Sequence, residues 1–162
     1  MISDFKTLSE NSRIWIYQSN RSLTQKEKES ISKLIEDFLN NWKSHGVSLN
    51  SGFEIKYNRF IVIAQDQNTQ NPTGCAIDSL VHFIQKLEKL YSITLLDKLN
   101  VSYRQGRSIA YKSLKDFKKM VKNNSVSKKT IVFNNLVQTK SEYNNNWEVT
   151  AEESWHFRFF NH

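Results

Sequence analysis

Leu, Ile, Val and Phe make up 45 of the 162 residues, about 28%, above the roughly 20% below which chains stay unfolded, so one domain with a real core is expected. The longest notable apolar run, Phe60 to Ala64, is five residues, too short for a membrane helix, and Asp4 in a polar N-terminus argues against a signal peptide. Cys75 is the only cysteine, which excludes an internal disulfide and a cysteine-rich zinc site, and a cytoplasmic protein is expected.

The +7 net charge is uneven. Between Val101 and Thr130 nine basic residues face Asp116 alone, giving +8, and the remaining chain sums to −1. Such a segment attracts polyanions or is a solvated lysine face. Aromatic residues are not interleaved with these lysines on one helix face, so nucleic acid is expected to bind only weakly and without specificity.

In chain order, residues 1–11 read as a flexible N-terminus. Arg13 to Gln18 alternates branched and aromatic side chains and predicts a strand. Thr24 with Glu27 is a capping box, in which hydroxyl and carboxylate each satisfy an otherwise unpaired amide. The stripe Ile31, Leu34, Ile35, Phe38, Leu39 and Trp42 then predicts a helix over 25–44, stopped by Gly46. Phe53 to Tyr57 and Phe60 to Ala64 predict a hairpin turning at Asn58-Arg59, its second strand central. Pro72 marks a loop, and Ile77, Leu80, Val81, Ile84, Leu87 and Tyr91 mark a second helix.

Ile93 to Leu96, Val101 to Tyr103 and Ser108 to Tyr111 predict short strands. Ser113 caps a third helix with Leu114, Phe117, Met120 and Val121 inward. Thr130 to Phe133 predicts a strand, and Thr150 with Glu153 a second capping box before Trp155 and Phe159. The order over 12–103 predicts an α+β fold, a ferredoxin-like split βαβ sandwich, with 104–162 as a hairpin-helix-strand extension of a single domain.

Cys75 precedes the second helix, where the helix dipole favours thiolate. Asp78 in the first turn and apolar neighbours oppose this, so a largely buried, inert thiol is expected. If the chain has catalytic residues, the candidates are Cys75, Asp78 and His156. Asn20, Arg21, Tyr57, Arg59 and Cys75 are candidate anion-binding residues, because guanidinium forks suit carboxylate or phosphate. Ordinary turn chemistry at Asn20 and Asn58 is the competing reading. The four histidines show no metal-binding spacing, so neither metal nor cofactor is expected. The partner is then an unknown protein or a small anion, with no membrane.

Trp15-Ile16-Tyr17-Gln18-Ser19-Asn20-Arg21, Trp42 with His45-Gly46, Tyr57-Asn58-Arg59-Phe60, Gly74-Cys75-Ala76-Ile77-Asp78, Phe133-Asn134-Asn135-Leu136-Val137 and Ser154-Trp155-His156 stand together in this chain. In these segments it resembles a Bacteroidetes family of small cytoplasmic proteins, many labelled ABC transporter ATPase. Ala76 stands where that family carries serine, and Ser22 where it carries proline.

The label does not survive the residues. A phosphate loop needs glycine amides around the phosphates, with a lysine and a hydroxyl after them. Gly46, Gly52, Gly74 and Gly106 are the only glycines, and none is followed by lysine. The residues therefore favour a non-enzymatic module binding a protein or small anion, with a thiol-dependent enzyme or redox sensor at Cys75 as the alternative. No ATP hydrolysis and no Mg-ATP-dependent rise in Tm is expected, and a saturable rise at submillimolar Mg-ATP would overturn this.

Overall fold

A computed structural model describes residues 1–68 and 70–160. The chain is a mixed α+β protein forming two compact units, Met1–Leu96 with Gln138–Ser141, and Asp97–Val137 with Glu142–His162. The first division falls at Leu96–Asp97, ahead of the expected boundary at 103. No described helix is long and apolar enough to cross a membrane.

In the first unit, β1 (Arg13–Gln18), β4 (Ser51–Lys56) and β5 (Phe60–Gln65) form an antiparallel sheet in the order β1-β5-β4. Register runs from Arg13↔Gln65 to Gln18↔Phe60 and from Ser51↔Gln65 to Lys56↔Phe60. Every residue of β5 is buried, as its continuous apolar run implies. Trp15, Tyr17, Ile61 and Ile63 pack with the buried stripes of α1 (Gln25–Asn40) and α2 (Gly74–Tyr91). Burial raises the Tyr17 phenol well above its ordinary pKa.

The predicted capping box is present: Thr24 accepts from the Glu27 amide at 3.1 Å, and Glu27 accepts from the Thr24 amide at 2.9 Å. The helix is shorter than expected. It ends at Asn40, and β2 (Lys43–Ser44) and β3 (Val47–Ser48) make a hairpin instead. His45 and Gly46, at φ 52° and 76°, form its two-residue turn, so Gly46 serves a strand reversal instead of a helix end. The β4–β5 turn centres on Tyr57 and Asn58, both at positive φ, one residue earlier than predicted. After α2, Ser92 takes the left-handed cap conformation. Residues 93–96 are not a strand, because the Glu88 carboxylate accepts from the Leu95 and Leu96 amides at 2.7 and 3.0 Å.

The N-terminal residues are packed, contrary to the flexible segment expected. Phe5–Thr7 is a 3-10 turn, with Phe5 and Leu8 buried and the Ser3 amide bonded to Ser51 O at 2.7 Å. Gly52 permits this approach, because a Cβ there would stand 2.6 Å from Ser3 O. The edge of β1 is taken by Gln138, whose carbonyl accepts from the Ile14 amide at 2.8 Å, and by Thr139, which bridges to Arg13. Lys140 follows, 5% exposed, and its ammonium donates to Phe5 O, Lys6 O and Leu8 O at 2.9, 3.0 and 2.7 Å.

The second unit is a four-stranded antiparallel sheet in the order β7-β6-β8-β9. Its strands are β6 (Val101–Gln105), β7 (Ser108–Lys112), β8 (Ile131–Phe133) and β9 (Glu148–Thr150). The strand expected to complete the first sheet, Val101 to Tyr103, thus pairs with β7 and β8. The helix α3 (Leu114–Lys122), capped by Ser113 Oγ on the Asp116 amide at 3.1 Å, buries Phe117 and Val121 with Val101, Tyr103 and Val132. A short α4 spans Lys140–Asn146, which the sequence did not signal. Thr150 and Glu153 make no capping box. Thr150 Oγ1 donates to the Glu153 carboxylate, and two 3-10 turns, Ala151–Glu153 and Trp155–Phe160, follow.

Lys140→Met removes one ammonium from three carbonyls of the N-terminal turn, two of them in buried bonds. It is expected to cost about 2–3 kcal/mol and to raise hydrogen exchange selectively at residues 3–8. Unchanged stability by urea denaturation would refute this account of the N-terminal turn.

Candidate functional site

The first unit carries an open groove of about 700 Å³ where the end of α1 meets the start of α2. Its floor is aromatic because both helices place a phenylalanine beside, and not within, their fully buried stripes. Phe38 of α1 and Phe83 of α2 stack with ring centroids 4.6 Å apart and planes 10° from parallel. Trp42 closes the inner wall, 5.7 Å from both Phe38 and Trp15. Its indole N–H donates to Ala76 O at 2.9 Å, which ties the end of α1 to the first turn of α2. The residue is buried, so this bond meets a donor that would otherwise be left unpaired.

The rim is polar. Asp37 and Asn41 lie on α1, Lys43 and His45 on the β2–β3 hairpin, and Lys86 on α2. Cys75 occupies the second position of α2, is exposed, and lines the groove. The expectation of a buried thiol is therefore corrected. Thr73 accepts from the Ala76 amide at 3.2 Å, and its carbonyl takes the Ile77 amide at 3.0 Å. Helix geometry gives the Gly74 and Cys75 amides no intrahelical acceptor, and they lie at the positive end of an 18-residue helix. Asp78 is exposed on α2 and is not among the groove residues.

The proposed anion rim is brought together in part, but its donors are committed. Arg21 makes a bidentate pair with Glu27 at 2.9 and 2.8 Å and donates to Tyr91 O at 2.9 Å. It joins the start of α1 to the end of α2. This hydrogen-bonded guanidinium, with the Thr24 amide, lowers the Glu27 pKa to about 2. Asn20 Oδ1 accepts from the Thr94 amide at 2.9 Å, and Arg59 donates to Ser19 O at 3.1 Å. Tyr57 is exposed in the hairpin turn. These residues staple one end of the unit. Cys75 lies at the opposite end of α2, about 25 Å away at 1.5 Å per residue, and cannot join them.

His156 belongs to the second unit and is 1% exposed. It bonds Ser154 Oγ through Nδ1 at 2.7 Å, stacks on Trp155 and meets Phe117 edge-on. Burial first, then the nearby Arg158 charge, lowers its pKa to about 4. This is the environment of a neutral core histidine. Among the described residues no group of three His, Cys, Asp or Glu could hold a metal.

Sequence reasoning missed Phe83, Lys43 and Lys86. Phe83 sits at the margin of the α2 stripe, where periodicity alone does not separate a core ring from a groove ring. No family model, no curated protein and no solved structure matches the chain.

The His156 shift has a defined sign. With the folded pKa near 4 and the unfolded value at about 6.5, the unfolded chain binds the proton first as pH falls. Stability is complete above about pH 6.5 and is lost toward pH 4, by roughly 3 kcal/mol. His156→Gln is expected to flatten this part of the stability–pH curve, as read from urea midpoints at successive pH values. An equally steep curve in the variant would contradict it.

Proposed function

We propose that the protein is a non-enzymatic binding module of the cytoplasm that holds a small anionic ligand with a flat apolar body in the α1–α2 groove. The observation that carries this reading is the stacked Phe38–Phe83 floor lying beside the open first turn of α2. The floor offers ring faces to an apolar body, while Lys43, Lys86 and the α2 amides favour negative charge. The volume of about 700 Å³ suits a small molecule. A local concavity of this kind fits such a ligand better than the extended face of a protein partner.

The first unit is also read as a ferredoxin-like arrangement lacking its fourth strand. The support is the strand order β1-β5-β4, with α1 between β1 and β4 and α2 following β5, and the β1 edge occupied by Gln138 and Thr139. The fold by itself assigns no activity.

The exposure of Cys75 within the groove favours thiol chemistry as the second reading, with His45 on the same rim as the available base. One titration separates the two. The naphthalene sulfonate dye ANS is expected to bind at one saturable site, with Phe83→Ala weakening it about tenfold and Lys86→Gln about threefold. Dye binding indifferent to both substitutions would remove the groove as the site. Iodoacetamide is expected to alkylate Cys75 without denaturant and to block the dye. Rapid alkylation with a midpoint well below pH 8 would favour the enzyme or redox sensor instead.

A further inference from the structure

The second unit holds +5 of the chain's net charge, and α3 is its most basic element. Lys115, Lys118, Lys119 and Lys122 are all exposed, and none has a carboxylate partner among the described ion pairs. Their spacing of three and four residues makes a continuous cationic row about 10 Å long that can face a phosphate backbone.

The aromatic residues that the lysine face of the helix lacks come from the 3-10 turn Trp155–Phe160. Lys118 Nζ lies 5.4 Å from the centre of the Phe159 ring, and Lys128 Nζ lies 5.9 Å from that of Phe157. Arg158 lies 5.7 Å over Trp155. Phe157 is 40% exposed, and Trp155, Phe159 and Phe160 are half-buried. Acidic groups are present but partly committed, with Glu152 paired to Lys129 and Glu153 bonded to Thr150.

We propose that the lysine row of α3 and the aromatic strip at 155–160 form a sequence-independent binding surface for single-stranded nucleic acid. Lysines neutralise the backbone, and exposed rings accept bases whose faces are free only in a single strand. A duplex hides those faces. A membrane surface fits less well, because Phe117 and Val121 are buried in the unit core and Leu114 and Met120 are partly buried against it, so α3 presents lysines and no continuous apolar face to lipid. The helix face itself carries no interleaved ring, and the interleaving of cations and rings comes from another element. It was invisible along the helix because the rings follow some forty residues later in the chain.

The test is fluorescence anisotropy of the full chain with a labelled fifteen-nucleotide oligo-dT. The same-length duplex, polyglutamate and phosphatidylserine vesicles serve as competing polyanions. The single strand is expected to bind best, with a log K against log salt slope of about −3 for four lysines. Lys119→Gln with Lys122→Gln is expected to reduce that slope by about 1.4. Phe157→Ala is expected to weaken binding at least about fivefold at unchanged slope, and Phe157→Tyr to retain it. All these side chains are exposed, so the variants are expected to fold, which a thermal melt of each checks. Absence of binding at low salt, equal or tighter binding of duplex, polyglutamate or vesicles, or indifference to Phe157→Ala would each overturn the proposal.

Discussion

Strand β5 has no exposed residue along its six-residue length, and both of its edges are paired. A strand in that position cannot slip by one residue without carrying its whole inward set to the opposite face. The register of β1 and β4 follows from it, and so does the platform of Trp15, Tyr17, Ile61 and Ile63 on which α1 and α2 pack. The outer edge of β1 would remain a row of open backbone groups without residues 138–141. Lys140 anchors that short segment by offering three donors to three carbonyls of the N-terminal turn. An ammonium without a carboxylate is costly to bury, and full use of its donors offsets the cost.

The groove is a consequence of how α1 ends. Helix geometry stops at Asn40, the chain turns through Trp42, and the two-residue hairpin turn His45–Gly46 brings it back. Trp42 cannot be buried without an acceptor for its indole N–H, and Ala76 O provides one. That bond ties the end of α1 to the first turn of α2, and the Phe38–Phe83 stack lines the groove beside it. Cys75 is left at the open part, which explains why a thiol in an apolar stretch of sequence is nevertheless exposed.

Two charged residues show how a polar motif can serve structure. Arg21 forks onto Glu27 and donates to the last carbonyl of α2, so the capping box at the start of α1 also holds the end of α2. His156 is kept neutral by burial among Ser154, Trp155 and Phe117. Both residues have the chemical type expected of a site. Their surroundings assign them to stability.

The amino-acid sequence by itself determined the features that depend on neighbours within one helical turn or one strand. These are the Thr24–Glu27 box, the Ser113 cap, the inward stripes of α1, α2 and α3, the buried strand over Phe60 to Ala64 and the lack of a phosphate loop. Each rests on a local spacing with its own signature. Tertiary structure alone decided that Val101 to Gln105 pairs in a second sheet, that residues 1–8 are packed, that Arg21 is spent on Glu27, and that Cys75 opens onto an aromatic groove. It alone set the rings of 155–160 among the lysines. These outcomes depend on contacts between residues far apart in the chain, and their energies come from burial and pairing with partners that no local spacing encodes.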